Sequence, residues 1–188
     1  MEWLTLVATL GGALIAISGT VLADRLRTRQ EADRGLGARR REVYTDFISA
    51  AGVAHTRLRE LAQNADASLD REAASRAALV DAQVYEVRER LFIDAGATVA
   101  AAGQRMFEQL RALRRAVAAG ASLPEPRFHD AYHPYIASVW DYRVAVRDEL
   151  EGRSLTPGAF GWTNWDGRER CSVCRAGDAL EGTRATAP

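Results

Sequence analysis

The residues best suited to chemistry are Cys171 and Cys174, set three apart in Cys171-Ser172-Val173-Cys174. That spacing is half of a zinc site, or a dithiol able to close to a disulfide. A structural zinc takes four protein ligands, and the chain has no second Cys-x-x-Cys, so histidines would have to supply the rest. His129 and His133 stand one helical turn apart and complete a Cys2His2 set. The ligand order is the reverse of a zinc finger's, and the chain between His133 and Cys171 is long and, beyond Gly152, without periodicity. The expectation is therefore no metal and no cofactor, with reduced thiols, and Cys171, Cys174, His129 and His133 remain the metal candidates of an alternative reading. A thioredoxin-like use of the pair would need a βαβ setting, and no strand pattern is present.

Nothing else in the chain forms a catalytic constellation. No Ser or Cys sits in a nucleophile motif near the three histidines, and there is no Gly-rich phosphate loop. Glu86, Glu89 and Asp94 lie among Arg88 and Arg90, as solvated ion pairs do, whereas a di-metal carboxylate site repeats Glu-x-x-His. The expectation is a non-enzyme with no catalytic residues. With 25 basic and 25 acidic residues the net charge is zero, so no global field points to nucleic acid. Every basic residue is Arg, a bias that fits a GC-rich, actinobacterial type of source.

The elements that must position these residues read as helices. Ala is abundant, and the first proline is Pro124. Val43, Phe47, Ala50, Ala54, Leu58 and Leu61 form one helical face, and Asp66 or Ser68 is placed to cap the next helix. A second face runs through Ala73, Ala77, Val80, Val84, Val87 and Leu91, broken at Asp94-Ala95-Gly96. A third takes Val99, Ala102, Met106, Leu110, Leu113 and Val117. A fourth begins near Arg127 and turns Tyr132, Ile136, Val139, Tyr142, Val146 and Leu150 inward, with Pro134 at its start or at a kink. Residues 39–151 thus predict an antiparallel bundle of three or four helices. Residues 152–188 predict a disordered, flexible tail, with Phe160, Trp162 and Trp165 as an aromatic anchor for the bundle, a membrane interface or a partner.

Ahead of the bundle, Trp3 to Ala23 carries no charge. At about 1.5 Å per residue such a helix reaches roughly 30 Å, the thickness of a hydrocarbon core. Residues 1–23 therefore predict a transmembrane anchor, favoured over a signal peptide cut after Ala23 because the start lacks positive charge. Residues 24–38 predict an Arg-rich juxtamembrane linker flexing at Gly35 and Gly37. Arg25, Arg27, Arg29, Arg39, Arg40 and Arg41 favour the anionic inner face, which sets the N-terminus outside and the bundle in the cytoplasm of a single-pass cell-membrane protein. Ala8, Gly12, Ala16 and Thr20 form a small-residue stripe suited to helix association and a homo-oligomer through the anchor.

Two stretches, GGALIAISGTVLADRLR over residues 11–27 and RRREVYTDFISA over 39–50, resemble small actinobacterial single-span membrane proteins of unknown function, the CchlQ-like proteins. The resemblance covers the first third of the chain and implies a membrane-tethered helical protein. It carries no catalytic residues, and the Cys-x-x-Cys segment is not part of it. The whole reading is an all-α chain: transmembrane helix, antiparallel bundle, disordered tail. Its expected role is a non-enzymatic interaction or scaffold module facing the cytoplasm, with the lipid bilayer, a further copy or an unknown protein as partner. The alternative is a metal- or redox-responsive protein built on the C-terminal cysteines.

Overall fold

In a computed structural model the chain is all-helical, and no strand occurs among the described residues. The structure describes residues 2–64 and 69–175, with residues 2–23, 32 and 33 as backbone alone. The chain divides into two compact units, Met1–Arg40 and Arg41–Pro188.

The first helix, α1, is Glu2–Gln63. Among the described residues no helix is long and apolar enough to cross a membrane, which corrects the transmembrane anchor expected over 1–23. The uncharged run is not an element of its own: helix continues from it through the charged stretch that follows. The side chains of Ala8, Gly12, Ala16 and Thr20 lie outside the described residues. The linker expected over 24–38 is likewise helical. Gly35 and Gly37 have open space where a side chain would stand, so neither serves a close contact. Arg25, Arg27, Arg29, Arg39 and Arg41 are exposed and Arg40 half-buried; Arg27 pairs with Glu31 at 3.0 Å.

In the second unit the rest of α1 packs with α2 (Arg71–Asp81), α3 (Val84–Asp94), α4 (Ala97–Ala118) and α5 (Pro126–Glu151). Asp70 caps α2 by accepting the Ala73 N–H at 3.0 Å; Asp66 and Ser68 lie outside the described residues. Pro126 opens α5 where no helical donor is needed, and Gly152 ends it in the left-handed region, φ 61°. The helix runs on through Pro134.

Contacts give the directions. Along α1 and α5, Tyr142 Oη donates to the Tyr44 carbonyl at 3.2 Å and Tyr135 Oη to the Ala51 carbonyl at 3.2 Å, so the two run antiparallel. A Cβ on Gly96 would meet Glu149, and one on Gly103 would overlap Leu91 and crowd Tyr142, so α4 is antiparallel to both α3 and α5. Arg90 to Asp46 and Arg57 to Asp81 set α3 and α2 antiparallel to α1. The unit is an up-down four-helix bundle whose second limb is broken into α2 and α3.

That break corrects the second face. Gln83 adopts φ 55°, a left-handed conformation that side chains rarely take, and it resets the helical register. Ser75, Ala78 and Leu79 are buried in α2, while Ala73, Ala77 and Val80 are exposed; Val84, Val87 and Leu91 of α3 are buried as expected. The α4 face is buried at all six expected positions. Bulky groups fill the centre: Tyr44, Phe47, Phe107, Phe128 and Tyr142 are each at most 1 % exposed.

The expected disorder of the tail is corrected for residues 152–175. After Gly152 the chain forms two short 3-10 turns, Pro157–Phe160 and Arg168–Arg170, and lies along the outer side of α5. Trp165 stacks on Trp140 of α5 with centroids 4.6 Å apart and planes 8° apart. Trp162 meets the same ring edge-on at 5.1 Å, and Phe160 lies at 5.2 Å. Of the three docking surfaces open to this aromatic cluster, it takes the bundle.

Candidate metal centre

α5 has two covered sides. At about 100° per residue, Phe128, Tyr135, Ser138, Tyr142 and Ala145 fall on one side, and His129, His133, Ile136 and Trp140 roughly opposite. The first side faces the bundle. The second lies beneath the segment that follows Gly152, and both histidines are buried there, at 8 % and 2 % exposure.

The Trp165 stack brings Asp166 against α5, and Gly167 turns the chain with φ 70°. The Arg168 N–H donates to Asp166 Oδ1 at 3.0 Å, and the Thr163 N–H donates to the Glu169 carboxylate, which closes the loop on itself. A helical turn beginning at Cys171, with the Arg175 N–H on the Cys171 carbonyl at 3.1 Å, then places both thiols over the histidines. Cys171 Sγ stands 3.4 Å from His129 Nδ1, and Cys174 Sγ stands 3.2 Å from His133 Nε2. All four ligand atoms lie within 4.8 Å of one another.

These distances suit a tetrahedral ion. Bonds of about 2.3 Å to sulfur and about 2.0 Å to nitrogen put neighbouring S and N ligands roughly 3.5 Å apart. Two thiolates and two imidazoles are the donor set of zinc, which needs no particular electronic geometry.

The far nitrogen of each ring decides the tautomer. His129 Nε2–H donates to the Leu123 carbonyl at 2.8 Å, and His133 Nδ1–H donates to the Asp166 carbonyl at 2.7 Å. A carbonyl only accepts, so each of those nitrogens carries the proton. In its neutral form each ring therefore turns a bare lone pair toward its cysteine, as a metal-ligating histidine must. Burial also holds His133 below the usual histidine range, against the opposing pull of the Asp166 carbonyl, and favours the neutral ligand form.

His55 stands apart from the four. It leaves α1 and lies between Tyr132, 5.7 Å away and stacked, and Tyr135, 5.1 Å away. Burial, aided by Arg59, pushes its pKa down to about 4, and its Nε2 is buried with no hydrogen-bond partner among the described residues. Of the acidic residues of α3, Glu89 pairs with Arg88 at 2.6 Å, and Arg90 of α3 pairs with Asp46 of α1 at 3.2 Å.

Sequence reasoning thus names the four candidate ligand residues but sets them aside, and it misses Leu123 and Asp166, whose backbone carbonyls accept from the two histidines. The available signal was Trp140 on α5, an aromatic platform matching Phe160, Trp162 and Trp165. An all-helical module with a partly buried His2Cys2 cluster is the class that fold and site define. Compared with protein families, curated proteins and solved structures, the chain matches none.

Proposed function

We propose that the chain is a non-enzymatic, metal-responsive helical module in which zinc, held by His129 Nδ1, His133 Nε2, Cys171 Sγ and Cys174 Sγ, latches the C-terminal segment onto α5. The convergence of four ligand atoms within 4.8 Å carries this reading. The two carbonyl-fixed tautomers agree with it, because each leaves a bare nitrogen facing its cysteine, the form a zinc ligand takes. Four protein ligands leave no open coordination position, so the ion's part is structural or regulatory rather than catalytic. Release of the ion frees the segment and uncovers the outer face of α5, which is how metal status becomes an interaction signal.

Metal content of the purified chain tests the proposal. The expected result is one zinc per chain, lost in Cys171→Ser and in His133→Ala, and a cobalt(II) form with the intense visible bands of a tetrahedral thiolate site. A folded protein that stays metal-free when titrated with zinc up to about 10 µM, far above the affinity of structural sites, refutes it.

A further inference from the structure

A groove of about 560 Å³ opens beside the metal centre and shares His129, His133 and Cys171 with it. We infer that this groove binds an amphipathic monocarboxylate, with the carboxylate between Arg59 and Arg170 and the apolar part on Phe128, Tyr132 and Ile136. The inference rests on the metal reading for one wall, since Cys171 and Val173 line the groove from the latched segment.

Volume and lining set the ligand class. A volume of this order is in the range of small-molecule sites, roughly 300–1,000 Å³, and too small for a folded partner. Leu123, Phe128, Ile136 and Val173 make the surface mainly apolar, so a fully polar ion would leave most of it uncovered. Arg59 and Arg170 supply two positive charges and Asp166 one negative, which leaves one net positive charge, 2 − 1, for a single anionic head. Asp166 is already occupied, accepting the Arg168 N–H. Zinc with two thiolates is neutral, so the adjoining cluster neither attracts nor repels that head.

The arginines are suited to the task. Arg59 is exposed and lines the groove, and among the described residues no hydrogen bond or ion pair occupies its guanidinium. The Arg170 guanidinium rests 5.6 Å over the Trp162 ring, which orients it at little entropic cost. A planar guanidinium fork matches a carboxylate, so head-group chemistry and not chain length decides selectivity.

Calorimetric titration of the zinc-loaded full chain with decanoate, below its micellar concentration, tests the inference. Decanoate is expected to saturate at one per chain, while decanol and decylamine bind at least about tenfold more weakly. Arg59→Gln should weaken decanoate by about tenfold and Arg170→Gln by as much, with zinc content read on each variant. Chelation should weaken decanoate too, because it frees the wall that carries Val173. A zinc-loaded chain that shows no saturable binding up to about 1 mM decanoate, or that binds decanol equally well, overturns the groove inference while the metal reading stands. A chain that holds no zinc yet binds decanoate with Arg59 dependence supports the groove and sinks the metal reading instead.

Discussion

Acidification should destabilise the bundle through His55, by an amount the structure sets. The ring is wedged between Tyr132 and Tyr135, with Arg59 nearby, and its pKa is pushed down to about 4 from 6.5 in the unfolded chain. Above 6.5 neither state binds the proton and stability is full. As pH falls below 6.5 the unfolded chain takes up a proton that the folded chain refuses, so stability drops until pH passes about 4. At pH 4.5 the unfolded histidine is almost wholly protonated, and the loss comes to about 2.5 kcal/mol. Carboxylates and metal ligands titrate in the same window, so the assay must isolate His55. Urea unfolding of metal-free wild type and His55→Phe at pH 7.5 and 4.5 gives a double difference in which the other groups cancel. The variant should lose about 2 kcal/mol less than wild type between the two pH values. At pH 7.5 it should be no less stable, since Nε2 is a buried polar atom without a partner and a phenyl ring of similar shape removes that cost. Equal losses in the two proteins would refute the argument, and would mean that His55 is protonated in the folded state through solvent contact.

Further outcomes follow from the same contacts. Gly103→Ala should lower the urea midpoint, by about 1–3 kcal/mol in stability, because a methyl group there overlaps Leu91 and crowds Phe47 and Tyr142. Trp140→Ala should leave helical circular dichroism nearly intact yet weaken zinc by about tenfold, since Trp165 loses the ring that seats Asp166 and the cysteines behind it. Gln83→Gly should stabilise slightly, by up to about 1 kcal/mol on thermal melting, because glycine adopts the left-handed conformation without strain.

How much of this was legible in the sequence depends on what ordered each part. The α4 face was readable because one side of a regular helix is buried against neighbours, leaving the spacing Val99 to Val117 intact. The α2 face was misassigned because a single left-handed residue, Gln83, shifts register, and nothing in the Ala-rich sequence marks it. In α5 the expected positions are mostly half-buried, since the helix is covered on two sides and a one-face pattern averages them. The candidate ligands were visible as residue types, but the segment carrying the cysteines meets α5 through ring stacking and hydrogen bonds to backbone carbonyls. Neither leaves a periodic trace, so it read as disorder. For residues 1–23 the length rule weighed a charge-free run, and among the described residues no helix is long and apolar enough to cross a membrane.

The latch itself can be reasoned through to a final test. Between Gly152 and Arg175 no residue is fully buried, so the segment has little hydrophobic burial to offset the entropic cost of ordering its backbone. The ring contacts around Trp140 add about 0.5–1.5 kcal/mol each, too little to hold the whole segment. On the proposed reading, a structural zinc adds about 10–16 kcal/mol in comparable ligand sets, more than any single ring contact, and is what latches the segment. That reading makes order in the segment conditional on metal, while the bundle has its own core of Phe47, Phe107 and Tyr142. Trypsin reads the difference, because Arg168 and Arg170 lie in the 3-10 turn just before Cys171. With zinc bound these bonds should resist cleavage; with chelator they should be cut first, leaving a helical fragment that includes α5. Equal cleavage rates in a chain shown to hold zinc would mean that aromatic stacking alone fixes the segment, and that the ion is a passenger rather than the latch.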